Sequence, residues 1–101
     1  MDITIKDTNI TLKYSFRGMM IYEKIAGTSF QPKGISEILI YFYSTILASD
    51  RNITITYDEF IDWLDENPNK LTEFSKWLNE VLTKNAYINQ ADESSDSEKK
   101  I

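Results

Sequence analysis

Residues 11–30, TLKYSFRGMMIYEKIAGTSF, decide how this chain folds, because an alternating stretch passes directly into a helix there. Upstream, DITIKDTNITLKY places Ile3 and Ile5 on one face, and Ile10, Leu12 and Tyr14 on one face, with Thr and Lys between them. A period of two reads as paired strands, and KDTN supplies turn chemistry through Asp7 and Asn9. A two-stranded hairpin is marginal in water, so it is expected to lie against helices or to pair with another subunit. Ser15 suits an N-cap, Phe16–Ala26 reads as the first helix, and Gly27 suits a left-handed C-cap. Phe16, Met19, Met20, Ile21, Tyr22, Ile25 and Ala26 are more apolar positions than one core-facing stripe requires.

Downstream, GTSFQPKG is a connection with Pro32 and Gly34 as breakers and Phe30 as an anchor onto the core. The second helix, about Ser36–Ser49, carries Ile38, Leu39, Ile40, Tyr41, Phe42, Tyr43, Ile46, Leu47 and Ala48 and has almost no polar side. Such a helix is central, or shared between subunits. Thr56 and Glu59 have capping-box spacing and open a third helix ending near Glu66, with Phe60, Trp63 and Leu64 facing inward. Asn67 and Pro68 read as cap and first position of a fourth helix. Its Leu71, Phe74, Trp77, Leu78, Val81 and Leu82 recur at three and four, while Glu73, Lys76, Glu80 and Lys84 face water. The expected fold is therefore α+β and mostly α: an N-terminal β-hairpin packed on about four helices within residues 1–84. Residues 85–101 are Ser/Asp/Glu-rich and are expected to form a disordered acidic and polar tail.

The composition excludes several kinds of chemistry. The chain has 101 residues, 16 acidic and 11 basic side chains, no His, and a net charge of −5. It also has no Cys. Disulfides and thiolate chemistry are therefore out, as are the usual neutral-pH general base and the commonest nitrogen ligand for metals. No dense Lys/Arg cluster is present to displace counterions, so a nucleic-acid partner is not expected. The longest apolar run, ILIYFYSTILA at 38–48, is too short for a bilayer, and MDITIKD does not begin like a signal peptide. These features point to an intracellular protein without cofactor or membrane partner, and to binding over catalysis.

Two further patterns carry alternatives. Asp58, Asp62, Asp65 and Glu66 form an acidic stripe on the third helix, beside Glu59. The stripe reads either as a solvated face favoured by the helix dipole, or as a docking face for a basic partner or cation. ASDRNITITYDEF has the outline of a calcium loop, with Asp50, Asn52 and Glu59 in register. It places Ala48 at the first ligand and Ile53 where the sharp turn needs Gly, so calcium binding is not expected. The surplus apolar surface is the stronger pattern. Met19, Met20, Tyr22, Tyr41 and Tyr43 are side chains suited to an adaptable protein interface, for a client or for self-association.

The order ITIKDTNITLKYSFRGMMIYEKIAGTSF, an apolar helix, then TYDEFIDWLDENPNKLTEFSKWLNEVL resembles tail assembly chaperones of long-tailed bacteriophages and prophages. The residues that carry the likeness are Tyr14, Phe16 and Arg17, then Glu23, then Gly27, Ser29 and Phe30. The likeness covers roughly residues 3–84. It implies a protein of the bacterial host cytoplasm that coats the tape-measure protein and helps recruit the tail-tube protein, and that is absent from the finished virion. Many such proteins also occur as a longer frameshifted form whose extension contacts the tube protein. This chain ends in SSDSEKKI, so tape-measure binding is the role carried over most directly. The alternatives are a head–tail connector or tail completion protein built into the virion, or an acidic regulatory adaptor of a mobile element using the stripe of the third helix.

Overall fold

The computed structural model of the chain describes residues 1–84 with their side chains and residues 85–100 only as the course of a helix. The side chains of the acidic and polar tail expected over 85–101 lie outside those described. The elements run β1 (Asp2–Ile5), β2 (Thr8–Thr11), α1 (Phe16–Ala26), α2 (Ile35–Ser49), α3 (Tyr57–Glu66) and α4 (Asn69–Lys100). This is the α+β, mostly α arrangement that the sequence patterns imply.

β1 and β2 pair antiparallel with Ile3 opposite Ile10 and Ile5 opposite Thr8. Ile3, Ile5, Ile10 and Leu12 are all buried, so the period-two pattern lays one greasy face on the helices. The turn is tighter than KDTN suggests. Lys6 and Asp7 alone form it, with φ of 50° and 60°, and Asn9 lies within β2 opposite Thr4. Two consecutive left-handed residues match the strand twist, as two-residue hairpin loops require. The Lys6 ammonium helps to hold this conformation by donating to the Thr54 carbonyl at 2.9 Å and pairing with Glu59 at 3.3 Å.

The helix ends follow from local hydrogen bonding. The Ser15 hydroxyl accepts from the Gly18 N–H at 3.1 Å, and Gly27 closes α1 at φ 74° with its N–H on the Glu23 carbonyl. The Thr56 hydroxyl accepts from the Glu59 N–H, while the Glu59 carboxylate accepts from the Thr56 N–H at 2.8 Å. α2 has its own acidic cap, since Glu37 accepts from the N–H groups of Lys33 and Gly34, both at 2.9 Å. Asn67 acts differently from the expectation. Its amide donates backward to the Trp63 carbonyl at 2.8 Å, which seals the end of α3, and α4 begins at Asn69 behind Pro68.

α2 is the central element, and aromatic rings surround it on three sides. Tyr41 meets Tyr22 of α1, Phe30 of the α1–α2 loop and Phe74 of α4, at centroid distances of 6.2, 4.8 and 5.8 Å. Phe42 stacks on Phe74 at 4.1 Å and meets Phe60 edge-on at 5.2 Å. Tyr43 packs on Tyr57 and donates its hydroxyl to the Ile55 carbonyl at 2.6 Å, which fixes the α2–α3 connection. α1 lies against α2 where Gly18 faces Thr45 and Ala48. The Trp63 indole N–H donates to the Thr4 carbonyl at 2.9 Å and ties the hairpin to α3. The apolar girth of α2 is thereby spent mostly inside this one chain.

Candidate functional site

α1 divides into a buried and a bare side. Gly18 and Tyr22 face α2 and are buried. About half a turn around the axis, Phe16 is 82% exposed and Met20 is 64% exposed. Spaced four apart, they stand about 40° apart on the helix surface, so they form one apolar ridge. Arg17, Ile21 and Lys24 line a shallow depression with them. Arg17 and Lys24, seven residues apart, project along a single line beside the ridge. Among the described residues neither cation makes a hydrogen bond or ion pair. Ile25 is also exposed, and Met19 is half-buried beside Tyr14, Ser15 and Phe16.

The electrostatics of this face are unusual for the chain. The first turn of α1 carries no acidic residue. The positive end of the helix dipole is therefore uncompensated, and Arg17 adds a like charge where a carboxylate would be stabilising. Glu23 is the acid of the helix, and its carboxylate accepts from the Phe30 N–H at 2.8 Å, which folds the GTSF loop back onto the core. An apolar ridge flanked by free cations thus stands on a protein with a net charge of −5.

The structure redistributes the five residues expected to form an interface. Met20 is on the bare face, and Met19 is at its margin. Tyr22 and Tyr41 are 0% exposed and form no surface. Their rings fill the seam between α1 and α2, and burial pushes both phenols up, Tyr41 to about 12. Among the described residues neither hydroxyl has a partner in good hydrogen-bond geometry, although Thr28 beside Tyr22 and Thr45 beside Tyr41 draw the two phenols partly back down. Tyr43 is half-buried with its hydroxyl committed to Ile55. Phe16, Arg17 and Lys24 complete the face and were missing from that expected set. Their signal was present in the spacing, since 16, 20 and 24 rise along one side of the helix while Tyr22 points the other way.

A second apolar depression lies where α2, α3 and α4 converge, lined by Ile35, Leu39, Ile61, Leu64, Pro68 and Leu71. Ile35 at its rim is 58% exposed. Asp58, Asp62, Asp65 and Glu66 are all exposed on α3, and Asp65 borders this depression. Glu59 leaves the acidic set, because its carboxylate is occupied by the Thr56 N–H and Lys6, and the Thr56 N–H above all holds it below the usual carboxylate range. Among the described residues no three carboxylates converge where a metal ion could sit. The Asp50 carboxylate accepts from the Asn52 N–H at 2.9 Å, so a local turn uses the oxygen that a calcium loop would need. No helix among the described residues is long and apolar enough to cross a membrane. Comparison with protein-family models, with curated proteins and with solved structures gives no match for this chain.

Proposed function

We propose that this protein is a tail assembly chaperone of a long-tailed phage or prophage, which covers apolar helical segments of the tape-measure protein in the host cytoplasm. The observation that carries the reading is the bare ridge of Phe16 and Met20 on α1. A lone exposed apolar residue is ordinary, but two large ones on one helix face beside an apolar depression suit a partner helix. The sequence resemblance supplies the partner's identity, and the ridge lies within the segment that carries the resemblance. Most other apolar residues of α1 and α2 are consumed by the core; Ile25 and Ile35 are also exposed, but only Phe16 and Met20 stand together on one helix face, so the client is assigned to the outer side of α1. Recruitment of the tail-tube protein is a further part of the same proposal.

The test is co-expression with overlapping tape-measure fragments from the same genome, followed by affinity capture and size-exclusion chromatography. Fragments with amphipathic helical pattern are expected to be insoluble alone and soluble with the chaperone. Phe16→Ser and Met20→Asp are expected to lose capture while keeping the circular dichroism of the parent. Undiminished capture by the folded double variant contradicts the assignment.

A further inference from the structure

We infer that the α1 face accepts an amphipathic helix carrying two carboxylates about two turns apart along the margin of its apolar stripe, paired to Arg17 and Lys24. This rests on the reading of α1 as the client-binding face, and goes beyond it by stating which helices are chosen.

Arg17 carries a cost for its own helix. It occupies the first turn of α1, where the backbone N–H groups point outward and the dipole is positive. A cation there is mildly destabilising, and no acid in that turn offsets it. Neither Arg17 nor Lys24 gains an ion pair or hydrogen bond among the described residues. Lys6 pairs with Glu59 and Lys70 with Glu73, while Lys13, Lys33, Arg51, Lys76 and Lys84 form no ion pair among the described residues; what sets Arg17 and Lys24 apart is their place beside the apolar ridge. The nearest carboxylate along the helix, Glu23, is turned to the Phe30 N–H. Two cations are thus left beside the most exposed apolar side chain of the described residues, Phe16.

Spacing then sets the partner's chemistry. Seven residues of helix rise about 10.5 Å and return to nearly the same angular position. Arg17 and Lys24 therefore form a straight two-point rail parallel to the ridge of Phe16 and Met20. A helix packed along α1 would bring its own positions i and i+7 into register with that rail, in either chain direction. Carboxylates at those positions would neutralise both cations and offset the positive end of the helix dipole. Basic residues there would meet like charge, which gives rejection as well as attraction. The Arg17 guanidinium can engage a carboxylate through two N–H groups, so it would fix the register more firmly than Lys24.

The test uses three synthetic helical peptides with the same leucine stripe. They differ at two marginal positions seven apart, which carry Glu, Gln or Lys. Binding to the full chain is read by fluorescence anisotropy at low and high salt. The Glu peptide is expected to bind roughly threefold to tenfold more tightly than the Gln peptide at low salt, with the Lys peptide weakest. The gap should narrow as salt rises. It should vanish in Arg17→Gln/Lys24→Gln, which keeps the ridge, whereas Phe16→Ser should weaken all three peptides. Equal affinity for Glu and Lys peptides, or a charge preference that persists in Arg17→Gln/Lys24→Gln, overturns the inference. So does concentration-dependent self-association that disappears in Phe16→Ser, since the occupant would then be a second copy. Tape-measure fragments in the same assay separate the two levels. Fragments lost by Phe16→Ser but indifferent to Arg17→Gln/Lys24→Gln refute the charge rail alone, and fragments indifferent to both refute the client face itself.

Discussion

Introducing aspartate at Tyr41 and at Met20 gives opposite expectations, although both residues are apolar members of the two greasy helices. Tyr41 has no exposed surface and touches Tyr22, Phe30 and Phe74. Removing a buried ring of this size costs about 3–5 kcal/mol through lost contacts and the cavity left behind. A carboxylate in its place either stays charged without a partner or takes up a proton, which adds a few kcal/mol. The sum exceeds about 5 kcal/mol. A domain of this size has about 4–13 kcal/mol of total stability, so Tyr41→Asp is expected to be largely unfolded or close to it. Met20 is 64% exposed, so only about a third of its side-chain burial is at stake, worth under ~1 kcal/mol. The difference in helix propensity adds about 0.5 kcal/mol at most. Urea titration followed by far-UV circular dichroism separates the two. Met20→Asp should keep the parental spectrum, with its midpoint shifted by less than roughly 1.5 M. Tyr41→Asp should lose the cooperative transition. A folded Tyr41→Asp protein with a near-parental midpoint would refute the division between the core seam and the bare face.

Three further outcomes follow from the same structure. Tyr22→Phe removes a buried hydroxyl with no partner in good geometry among the described residues, so it should raise stability by about 1 kcal/mol, seen as a thermal midpoint several degrees higher; a clear loss would mean the hydroxyl is bonded, with Thr28 its neighbour. Gly27→Ala puts a Cβ at φ 74°, where space is open but the backbone conformation is strained, and should cost about 1–2 kcal/mol in urea titration. Glu37 and Glu59 have carboxyl groups held below their ordinary value of 4.5, chiefly by N–H donors at Gly34 and Thr56. Their stabilising effect is complete above that value and is lost as pH falls through the depressed folded values. Stability measured from pH 7 to pH 3 should therefore decline in acid, with a smaller decline in Glu59→Gln.

The caps were legible in the sequence because each is a bond between near neighbours. Ser15 reaches Gly18, Thr56 and Glu59 exchange two bonds, and Gly27 reaches back to Glu23. None of these depends on distant packing. The hairpin was legible in its alternation but not in its turn, since Lys6 adopts a left-handed conformation that lysine seldom takes and is held there by Thr54 and Glu59, far along the chain. The tyrosines were not separable by pattern. An all-round apolar helix such as α2 has no preferred side, and Tyr41 and Tyr43 differ only through what arrives to cover them. That cover comes from α1 at Gly18 and from the loop that Glu23 folds back through Phe30. For α1 the information was partly present. A buried glycine at 18 marks the inner side, and with Tyr22 four positions later it leaves Phe16 and Met20 facing out.

In the proposed function the outer side of α1 lends its ridge to a tape-measure helix. The sharpest test is isothermal titration of a short tape-measure peptide, one amphipathic helix long and soluble by itself, into the parent chain and into Phe16→Ser/Met20→Asp. The account predicts saturable binding with a negative heat-capacity change in the parent, and loss of both in the folded variant. Equal affinity in the two proteins would contradict it.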